Sequence, residues 1–316
     1  MTNKPVIYIV GVGRSGTSML MTLLNGHSAI AFTPETHFLR YYLGTTEQQK
    51  ALEDKGPVHF QHILEKDTYF QRLKIPAEEV LRPYLQGQKA FRLDELYRQL
   101  LATYLHRKNK QIIGDKDPRY LDYLQVIANI YPTAHIIHIH RDPRDVVLSK
   151  PKADWSSHRP FWVNAIISQV QMKEGREKAR AIFGDRYYEL AYEDLVVNPQ
   201  GALSKLLAHL GLEFEEDMLD LTASAKELVD ESELQWKGNT FKPMLKSNTE
   251  KWRTQFPAWK IRTIEIICKE WFEQLGYQHA DTKVNFLTNG FLKLAFSFRG
   301  LQSKLYHWQL ARQLKK

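Results

Sequence analysis

The sequence contains one cysteine, Cys268, in 316 residues. A single thiol cannot build a disulfide framework or a cysteine-rich metal site, and such scarcity is typical of proteins from a reducing compartment. No apolar run approaches the roughly 18 residues that a membrane span requires, and no secretory signal pattern precedes the first glycine loop. These absences lead us to expect a soluble, cytoplasmic protein.

Acidic residues are missing from the segment that follows Asp281. This segment carries seven cationic side chains and no carboxylate side chain: Lys283, Lys293, Arg299, Lys304, Arg312, Lys315 and Lys316. The formal net charge of the whole chain is +8, so the part before residue 282 is close to neutral. Because the basicity lies in one tail, the sequence argues against nucleic-acid binding.

The first glycine loop lacks the lysine that most nucleotide-binding loops contain. A Walker A loop has the pattern G-x-x-x-x-G-K-[ST]. In VGVGRSGTS, residues 10–18, Gly11 and Gly16 have this spacing, but Thr17 replaces the lysine. The loop follows the apolar run VIYIV, a predicted buried strand, and precedes a predicted helix. Backbone N–H groups in this setting can cradle an anion.

Arg14 is the cation of this loop, and Ser15, Thr17 and Ser18 supply hydroxyl groups. An arginine with hydroxyls suits a single 5′-phosphate better than a magnesium triphosphate, which uses a lysine and a metal-binding aspartate. The alternative interpretation is a glycine turn that only packs a strand on a helix.

A second candidate phosphate motif is RDPRDVVLS, residues 141–149, which follows the predicted strand AHIIHIH. Arg141 would lie at the carboxyl end of this strand, where parallel sheets bind ligands, and Ser149 would lie on the next helix. An arginine binds phosphate through its fork of N–H groups. The alternative is a capped helix whose charged residues pair with one another on the surface.

Strands that alternate with helices predict an α/β fold with a parallel sheet. Apolar runs predict strands at 6–10, 29–32, 134–140 and 187–192, and QIIGDKDP, residues 111–118, predicts a short strand that runs into a turn. Helical periodicity predicts helices at 91–106, 120–130, 161–183 and 199–210. Residues 44–90 show no sheet signal and predict helices and loops.

In combination, GRSGTS, RDPRDVVLS and YEDLVVNP (residues 192–199) resemble the ordered motifs of sulfotransferases that use 3′-phosphoadenosine 5′-phosphosulfate (PAPS). The pattern most resembles the tyrosylprotein sulfotransferase branch and its bacterial relatives, because Glu35 follows Arg14 at a similar distance and GDKDPRYL resembles another segment of that branch. The resemblance implies a three-layer P-loop-like fold with a central parallel sheet. It implies a sulfotransferase domain over 1–280, an acceptor region at about 40–105 and a helical extension over 281–316.

The resemblance also implies the cofactor residues. The first loop would bind the 5′-phosphosulfate through Gly13, Arg14, Ser15, Gly16, Thr17 and Ser18. Arg141 and Ser149 would bind the 3′-phosphate, and Tyr192 would contact adenine unless it only closes a strand against a helix. Lys251, Trp252 and Arg253 resemble the cofactor-closing segment of the family, although the family's RKG triplet is absent. This chemistry would need no metal.

Sulfuryl transfer is an in-line displacement in which charge grows on the leaving oxygen, so nearby cations stabilise its transition state. By similarity we expect Arg14 and Lys116 to supply those cations and Glu35 to act as general base towards the acceptor hydroxyl. His37 is the rival base, because many other sulfotransferases use a histidine.

The catalytic candidates also have structural interpretations. Glu35 could cap the helix that begins near TPETHF, and His37 could be a packing residue beside FLRYY. Lys116 could pair with Asp115 or Asp117 at the surface.

Apolar residues recur at helical spacing in the basic tail: Leu294, Phe298, Leu301, Leu305 and Trp308. A basic amphipathic helix of this kind binds the surface of an anionic membrane. The alternative is a helix that packs on the domain or on a second subunit.

The sequence therefore predicts an enzyme, a PAPS-dependent sulfotransferase whose acceptor carries a hydroxyl group. Carbohydrate, lipid, peptide and small-molecule acceptors are all open, as is the oligomeric state. The alternatives are a P-loop kinase, which the missing lysine disfavours, and a nucleotide-binding module without catalytic activity.

Overall fold

A five-stranded parallel sheet lies at the centre of the protein, with the strand order β2-β3-β1-β4-β5. The computed structural model describes residues 5–228, 248–281, 283–296, 303–304 and 306–308. The strands are β1 (Ile7–Val10), β2 (Ile30–Phe32), β3 (Ile112–Lys116), β4 (His135–His140) and β5 (Tyr187–Ala191). The predicted α/β fold with a central parallel sheet is confirmed.

Helices follow and separate the strands. In chain order they are α1 (Thr17–Asn25), α2 (Phe38–Tyr42), α3 (Thr46–Glu53), α4 (Gly56–Lys66), α5 (Thr68–Gln71), α6 (Ala77–Leu85), α7 (Leu93–Lys108), α8 (Leu124–Ile130), α9 (Pro143–Ser149), α10 (Asp154–Ser157), α11 (Phe161–Phe183), α12 (Tyr192–Val197), α13 (Pro199–His209), α14 (Leu221–Leu228), α15 (Trp252–Gln255), α16 (Ala258–Ile267), α17 (Lys269–Leu275) and α18 (Phe286–Phe296). None of these described helices is both long and apolar enough to cross a bilayer.

The central strand β1 shows why the fold has three layers. All of its side chains are buried. Tyr8 and Val10 belong to one hydrophobic core, with residues of α7 and α11, whereas Ile7 and Ile9 belong to a second core, with residues of α1 and α13. Since alternate side chains of a strand point to opposite faces, a continuous apolar run requires helices on both sides of the sheet.

Two predicted elements differ from the structure. The predicted helix at 120–130 is a 3₁₀ turn (Pro118–Asp122) followed by α8, because the Asp117 carboxylate accepts a hydrogen bond from the backbone N–H of Arg119 and starts a separate turn. The predicted last strand ends at Ala191, since Tyr192 begins α12, where Glu193 and Asp194 lie in the first turn and favour a helix N-terminus.

The described residues of the basic tail include both buried and exposed apolar side chains. Leu292 of α18 and Tyr306 are buried, whereas Leu294 and Trp308 are exposed. Phe298, Leu301 and Leu305 lie outside the described residues. The boundary near residue 280 stays a prediction.

The carboxyl edge of the sheet gathers the candidate residues of five separate motifs. Arg14 follows β1, Glu35 follows β2, Lys116 ends β3, Arg141 follows β4 and Tyr192 follows β5. Because all five strands are parallel, these positions meet at one edge. The topology therefore brings together residues that are up to 178 positions apart, from Arg14 to Tyr192.

Two histidines of β4 generate a prediction about acid stability. Burial lowers the pKa of His138 to about 3 and that of His140 to about 4. An unfolded histidine titrates near pH 6.5, so between about pH 6.5 and 4 the unfolded chain binds more protons than the folded one. We therefore expect the free energy of unfolding to decrease as the pH is lowered through this range, by about 1 kcal/mol per pH unit for each histidine.

Urea denaturation between pH 7 and pH 5 would measure this dependence. His138→Gln removes one titrating group, so its stability should fall less steeply with acid than that of the wild type. An identical slope in the variant would contradict the assignment.

Candidate functional site

The loop between β1 and α1 has the geometry of an anion cradle. Gly16 has a left-handed φ of 100°, and a Cβ at this position would lie 2.4 Å from the Tyr192 ring. Arg14 also has a positive φ, 83°. The helix α1 begins directly after Gly16 without a side-chain cap, so its first N–H groups point to the site where an anion binds a helix N-terminus.

Two buried polar atoms of this region have no hydrogen-bond partner among the residues that the structure describes. They are Ser15 Oγ and Arg141 Nε. Buried polar groups are normally hydrogen-bonded, so two unsatisfied atoms in adjoining loops fit a site for a polar, anionic ligand.

The second predicted motif contacts this loop directly. Arg14 donates a hydrogen bond from Nε to Ser149 Oγ at 3.1 Å. Arg141 donates from its guanidinium group to the Arg14 carbonyl at 3.4 Å. Burial lowers the pKa of Arg14 to about 10, and the Arg141 charge adds to this effect. The structure thus brings together the three residues that sequence analysis assigned to the two phosphate groups.

A segment near the carboxyl end of the described chain covers Arg141. Asn248 accepts a hydrogen bond from Arg141 through its carbonyl and donates one from its side chain to the Tyr192 hydroxyl at 2.6 Å. Asp145 accepts hydrogen bonds from the backbone N–H groups of Glu250, at 2.7 Å, and Trp252, at 3.2 Å. No sequence pattern identified Asn248, and Asp145 is one of the charged residues of RDPRDVVLS that the alternative interpretation paired with one another at the surface.

The three predicted cofactor-closing residues have different environments. Burial and the neighbouring charges of Lys152 and Arg141 lower the pKa of Lys251, which therefore lies in the cationic cluster around Arg141. Trp252 is 1% exposed, with the guanidinium groups of Arg144 and Arg253 at 3.7 and 4.4 Å from its ring. This packing covers the Trp252 ring, so the predicted stacking on adenine would require Arg253 to move.

Tyr192 forms a wall of the loop. Its ring lies against Gly16, and the Arg141 guanidinium group lies 4.5 Å from the ring centre. The side chain is 4% exposed. Tyr192 therefore packs directly beside the cradle, and its contact with adenine stays a prediction.

The candidate base and the candidate catalytic cation form a buried ion pair. Lys116 Nζ contacts Glu35 Oε1 and also donates to Ser18 Oγ at 3.1 Å. Lys116 is fully buried, and Glu35 is 7% exposed. Lys116 is therefore not a surface cation. At the start of α2, Thr36 Oγ1 accepts a hydrogen bond from the backbone N–H of Phe38 at 3.2 Å.

His37 extends this cluster away from Lys116. Its Nε2 lies 3.8 Å from Glu35 Oε2, and its Nδ1 is hydrogen-bonded to Asp117 Oδ2 at 2.6 Å. Burial opposes the protonated form of His37, but the Asp117 carboxylate outweighs it and raises the pKa of His37. The carboxylate of Glu35 thus lies between Lys116 and an imidazole whose pKa the Asp117 carboxylate raises.

A buried aspartate, Asp115, fixes the end of β3 next to Lys116. Asp115 accepts hydrogen bonds from the hydroxyl groups of Tyr97 and Tyr120, both at 2.6 Å, and from Thr33 Oγ1 at 2.9 Å. It also accepts from the backbone N–H of Lys116 at 2.8 Å. No sequence signal identified these partners, because they come from four separate segments.

Aromatic side chains lie beside the candidate base. The His37 ring lies 4.4 Å from the Tyr69 ring and 5.7 Å from the Tyr41 ring. Arg72 and Arg40 lie over these two tyrosine rings at 4.7 and 5.0 Å. These residues belong to the helical region that the sequence predicts for the acceptor. In the described part of the chain, no group of three or more histidine, cysteine or carboxylate side chains has an arrangement that could hold a metal ion.

A family profile described as "Sulfotransferase family" matches residues 5–216, which include the sheet, both phosphate motifs and the Glu35–Lys116 pair. The chain belongs to the sulfotransferase family. This membership confirms the family that the motifs resemble.

Curated relatives agree with this membership. The chain is 28% identical over 250 residues to omega-hydroxy-beta-dihydromenaquinone-9 sulfotransferase Stf3 from Mycobacterium bovis, covering 66% of this chain and 63% of that protein. It is 25% identical over 234 residues to protein-tyrosine sulfotransferase 1 from Danio rerio, covering 69% and 56%. The chain spans between 33% and 66% of the length of the first curated relatives that it matches.

Solved sulfotransferase domains share the fold. The domain from the curacin biosynthetic pathway has a TM-score of 0.63 at 17% identity, covering 89% of this chain and all of that one. The domain from the Synechococcus PCC 7002 olefin synthase has a TM-score of 0.57 at 21% identity, covering 94% and 96%. The predicted P-loop-like fold is confirmed by these likenesses.

The contact between Asp117 and His37 generates a prediction about protonation. Asp117→Asn removes the negative charge that stabilises the imidazolium, while burial still favours the neutral ring. We expect the pKa of His37 to fall in this variant, which NMR titration of its ring protons would measure. Asp54→Asn, at an exposed position, is the matched control and should leave His37 unchanged. An unchanged pKa in Asp117→Asn would contradict the proposed charge state.

Proposed function

We propose that this protein transfers the sulfuryl group of PAPS to a hydroxyl group of an acceptor. The observation that carries the proposal is the position of the buried Lys116–Glu35 pair, which is connected through Ser18 to the anion cradle. Cradle, cation and candidate base therefore share one edge of the sheet, as group transfer between two bound molecules requires.

The residues present fit a doubly phosphorylated adenosine nucleotide. Ser15 Oγ and the first N–H groups of α1 offer hydrogen bonds to the 5′ end. The 3′-phosphate would receive charge and hydrogen bonds from Arg141, Ser149 and Lys251. Arg141 and Ser149 both contact Arg14, and besides burial the charge of Arg141 lowers the pKa of Lys251, so the three side chains lie in one neighbourhood. Arginine and backbone donors bind phosphate without a metal.

The donor supplies an activated sulfuryl group, whose bond to the bridging phosphate oxygen breaks as a bond to the acceptor oxygen forms. Lys116 and Ser18 would stabilise the negative charge that develops on the leaving side. Glu35 would accept the proton of the acceptor hydroxyl, so that the products are a sulfate ester, the product nucleotide and a protonated carboxyl group. Burial of the Lys116–Glu35 pair excludes bulk water from this step.

Glu35 is a better candidate base than His37. The Asp117 carboxylate raises the pKa of His37 and favours the imidazolium, which has no lone pair to accept a proton. The Glu35 carboxylate, which contacts Lys116 and lies beside His37, has oxygen lone pairs that can accept a proton. We assign His37 a positioning role, in which it orients Glu35 Oε2.

The acceptor side of the site is aromatic. Tyr41 and Tyr69 pack against His37, so a hydroxyl that approaches Glu35 would pass beside these two rings. The relatives named above include a menaquinone-derivative sulfotransferase and a tyrosine sulfotransferase. We propose an acceptor whose hydroxyl lies next to an apolar or planar group; lipid, peptide, carbohydrate and small-molecule acceptors meet this requirement.

The cofactor assignment predicts the effect of removing the second phosphate motif. The double variant Arg141→Ala, Ser149→Ala loses charge-assisted hydrogen bonds, so we expect its affinity for 3′-phosphoadenosine 5′-phosphate to fall about 100-fold or more. Isothermal calorimetry with and without magnesium would measure this change. Arg92→Ala, at an exposed arginine outside the site, is the control. Equal affinity in the double variant and the wild type would overturn the assignment.

The base assignment predicts a separation of binding from transfer. Glu35→Gln removes the proton acceptor, so transfer should fall about 10²–10⁴-fold, while the affinity for the product nucleotide should change only a few-fold. Radiolabelled PAPS incubated with fractionated cell extract would report transfer. Glu47→Gln on the surface of α3 should behave as wild type. Transfer that survives in Glu35→Gln and is lost in His37→Asn would assign the base to His37 instead.

A further inference from the structure

Most of the exposed large apolar side chains of the described residues lie in one region. On α18, Phe286 is 88% exposed, Leu287 81%, Phe291 68% and Leu294 69%. Trp162, at the start of α11, and Trp259, at the start of α16, are also exposed. We call these six residues the α18 surface. A contiguous exposed apolar area of this kind is typical of an interaction site.

Ring contacts and a hydrogen bond join the parts of the α18 surface. Trp162 lies 6.0 Å from the Phe296 ring at the end of α18, and Trp259 lies 5.5 Å from Phe161. Arg262 of α16 donates to the Asn289 side chain of α18 at 3.0 Å. These contacts hold α18 against the domain by one side, so its opposite side faces solvent in a defined orientation.

The exposed side of α18 is apolar, which reverses the usual arrangement of a surface helix. At 100° per residue, Phe286, Leu287, Phe291 and Leu294 fall within one arc of about 140°. Leu292, on the other side, is buried. A helix with apolar residues on both sides needs a second apolar environment beyond the one that the domain provides.

The charged side chains of α18 and of the sequence that follows it are all cationic. Lys283 and Lys293 are exposed beside the apolar arc, and Lys260 lies 5.6 Å from the Trp259 ring. From residue 282 onwards the sequence contains no carboxylate side chain. A second copy of the chain, packed about a two-fold axis, would bring these cations against their own equivalents. An anionic partner with an apolar interior meets both features of the surface.

We propose that the α18 surface docks the protein on an anionic lipid bilayer. Its phenylalanine and leucine side chains enter the acyl boundary, Trp162 and Trp259 occupy the headgroup level that tryptophan prefers, and the lysines contact anionic headgroups. The helix α16, which carries α18, also packs on α9, the helix of Ser149. Docking would therefore place the nucleotide site one helix away from the bilayer.

Vesicle co-sedimentation of the full chain tests this proposal. We expect the wild type to bind phosphatidylcholine vesicles that contain about one quarter phosphatidylglycerol, and to bind pure phosphatidylcholine vesicles more weakly. The triple variant Leu287→Ser, Phe291→Ser, Leu294→Ser should lose about tenfold or more of this binding. Because its three side chains are exposed, the variant should keep its affinity for 3′-phosphoadenosine 5′-phosphate, which confirms that it is folded.

Matched variants separate the two contributions. Val58→Ser with Val197→Ser removes exposed apolar side chains, each 59% exposed, outside the α18 surface, and should bind as wild type. Lys283→Gln with Lys293→Gln should weaken binding to anionic vesicles about tenfold, and added salt should have the same effect.

Three outcomes would overturn the proposal. The first is a wild type that binds neither kind of vesicle, and the second is equal loss in the valine control. The third is a concentration-dependent dimer, seen by sedimentation velocity without vesicles and abolished by the triple variant, which would assign the α18 surface to a second copy of the chain. Each of these results is independent of the sulfuryl-transfer assay.

Discussion

The buried ion pair between Lys116 and Glu35 is the interaction on which the candidate site depends. Removing both charges from water costs several kcal/mol per ion, and replacing a buried pair with apolar residues often stabilises a protein. Such a pair is weak evidence for stability, so its presence at the carboxyl edge of the sheet indicates a chemical role. Ser18 and His37, which contact Lys116 and Glu35 respectively, hold the two charged groups in a fixed geometry.

In the proposed reaction, the sheet makes this pair available to both substrates. Lys116 ends a strand whose last residues are held by Asp115 and its tyrosine partners, whereas Glu35 lies in the loop after β2. The nucleotide cradle approaches the pair through Ser18, at the start of α1, and the aromatic side chains of α2 and α5 approach it through His37. One cation and one carboxylate therefore separate a donor side from an acceptor side.

A second set of buried charges connects the nucleotide site to the carboxyl-terminal helices. Arg144 pairs with Asp142 at 2.7 Å and with Glu265 of α16 at 2.8 Å, and its guanidinium group stacks on Trp252. Asp145, one residue further on, holds the backbone of the segment that covers Arg141. The helix α9 thus presents Ser149 to the cradle and anchors α16, which carries the α18 surface.

The sequence alone determined the sheet and the glycine loop, because buried strands and glycine loops leave local patterns in the chain. It placed Arg14, Arg141 and Ser149 in one candidate site, and Glu35 and Lys116 beside it, only through family resemblance. Tertiary structure alone decided that Glu35 and Lys116 form a buried pair, that Asp117 contacts His37 and that Trp252 packs against two arginines. Those outcomes depend on which side chains from distant parts of the chain meet at one edge of the sheet. No local sequence pattern specifies the contacts between segments that are far apart in the chain.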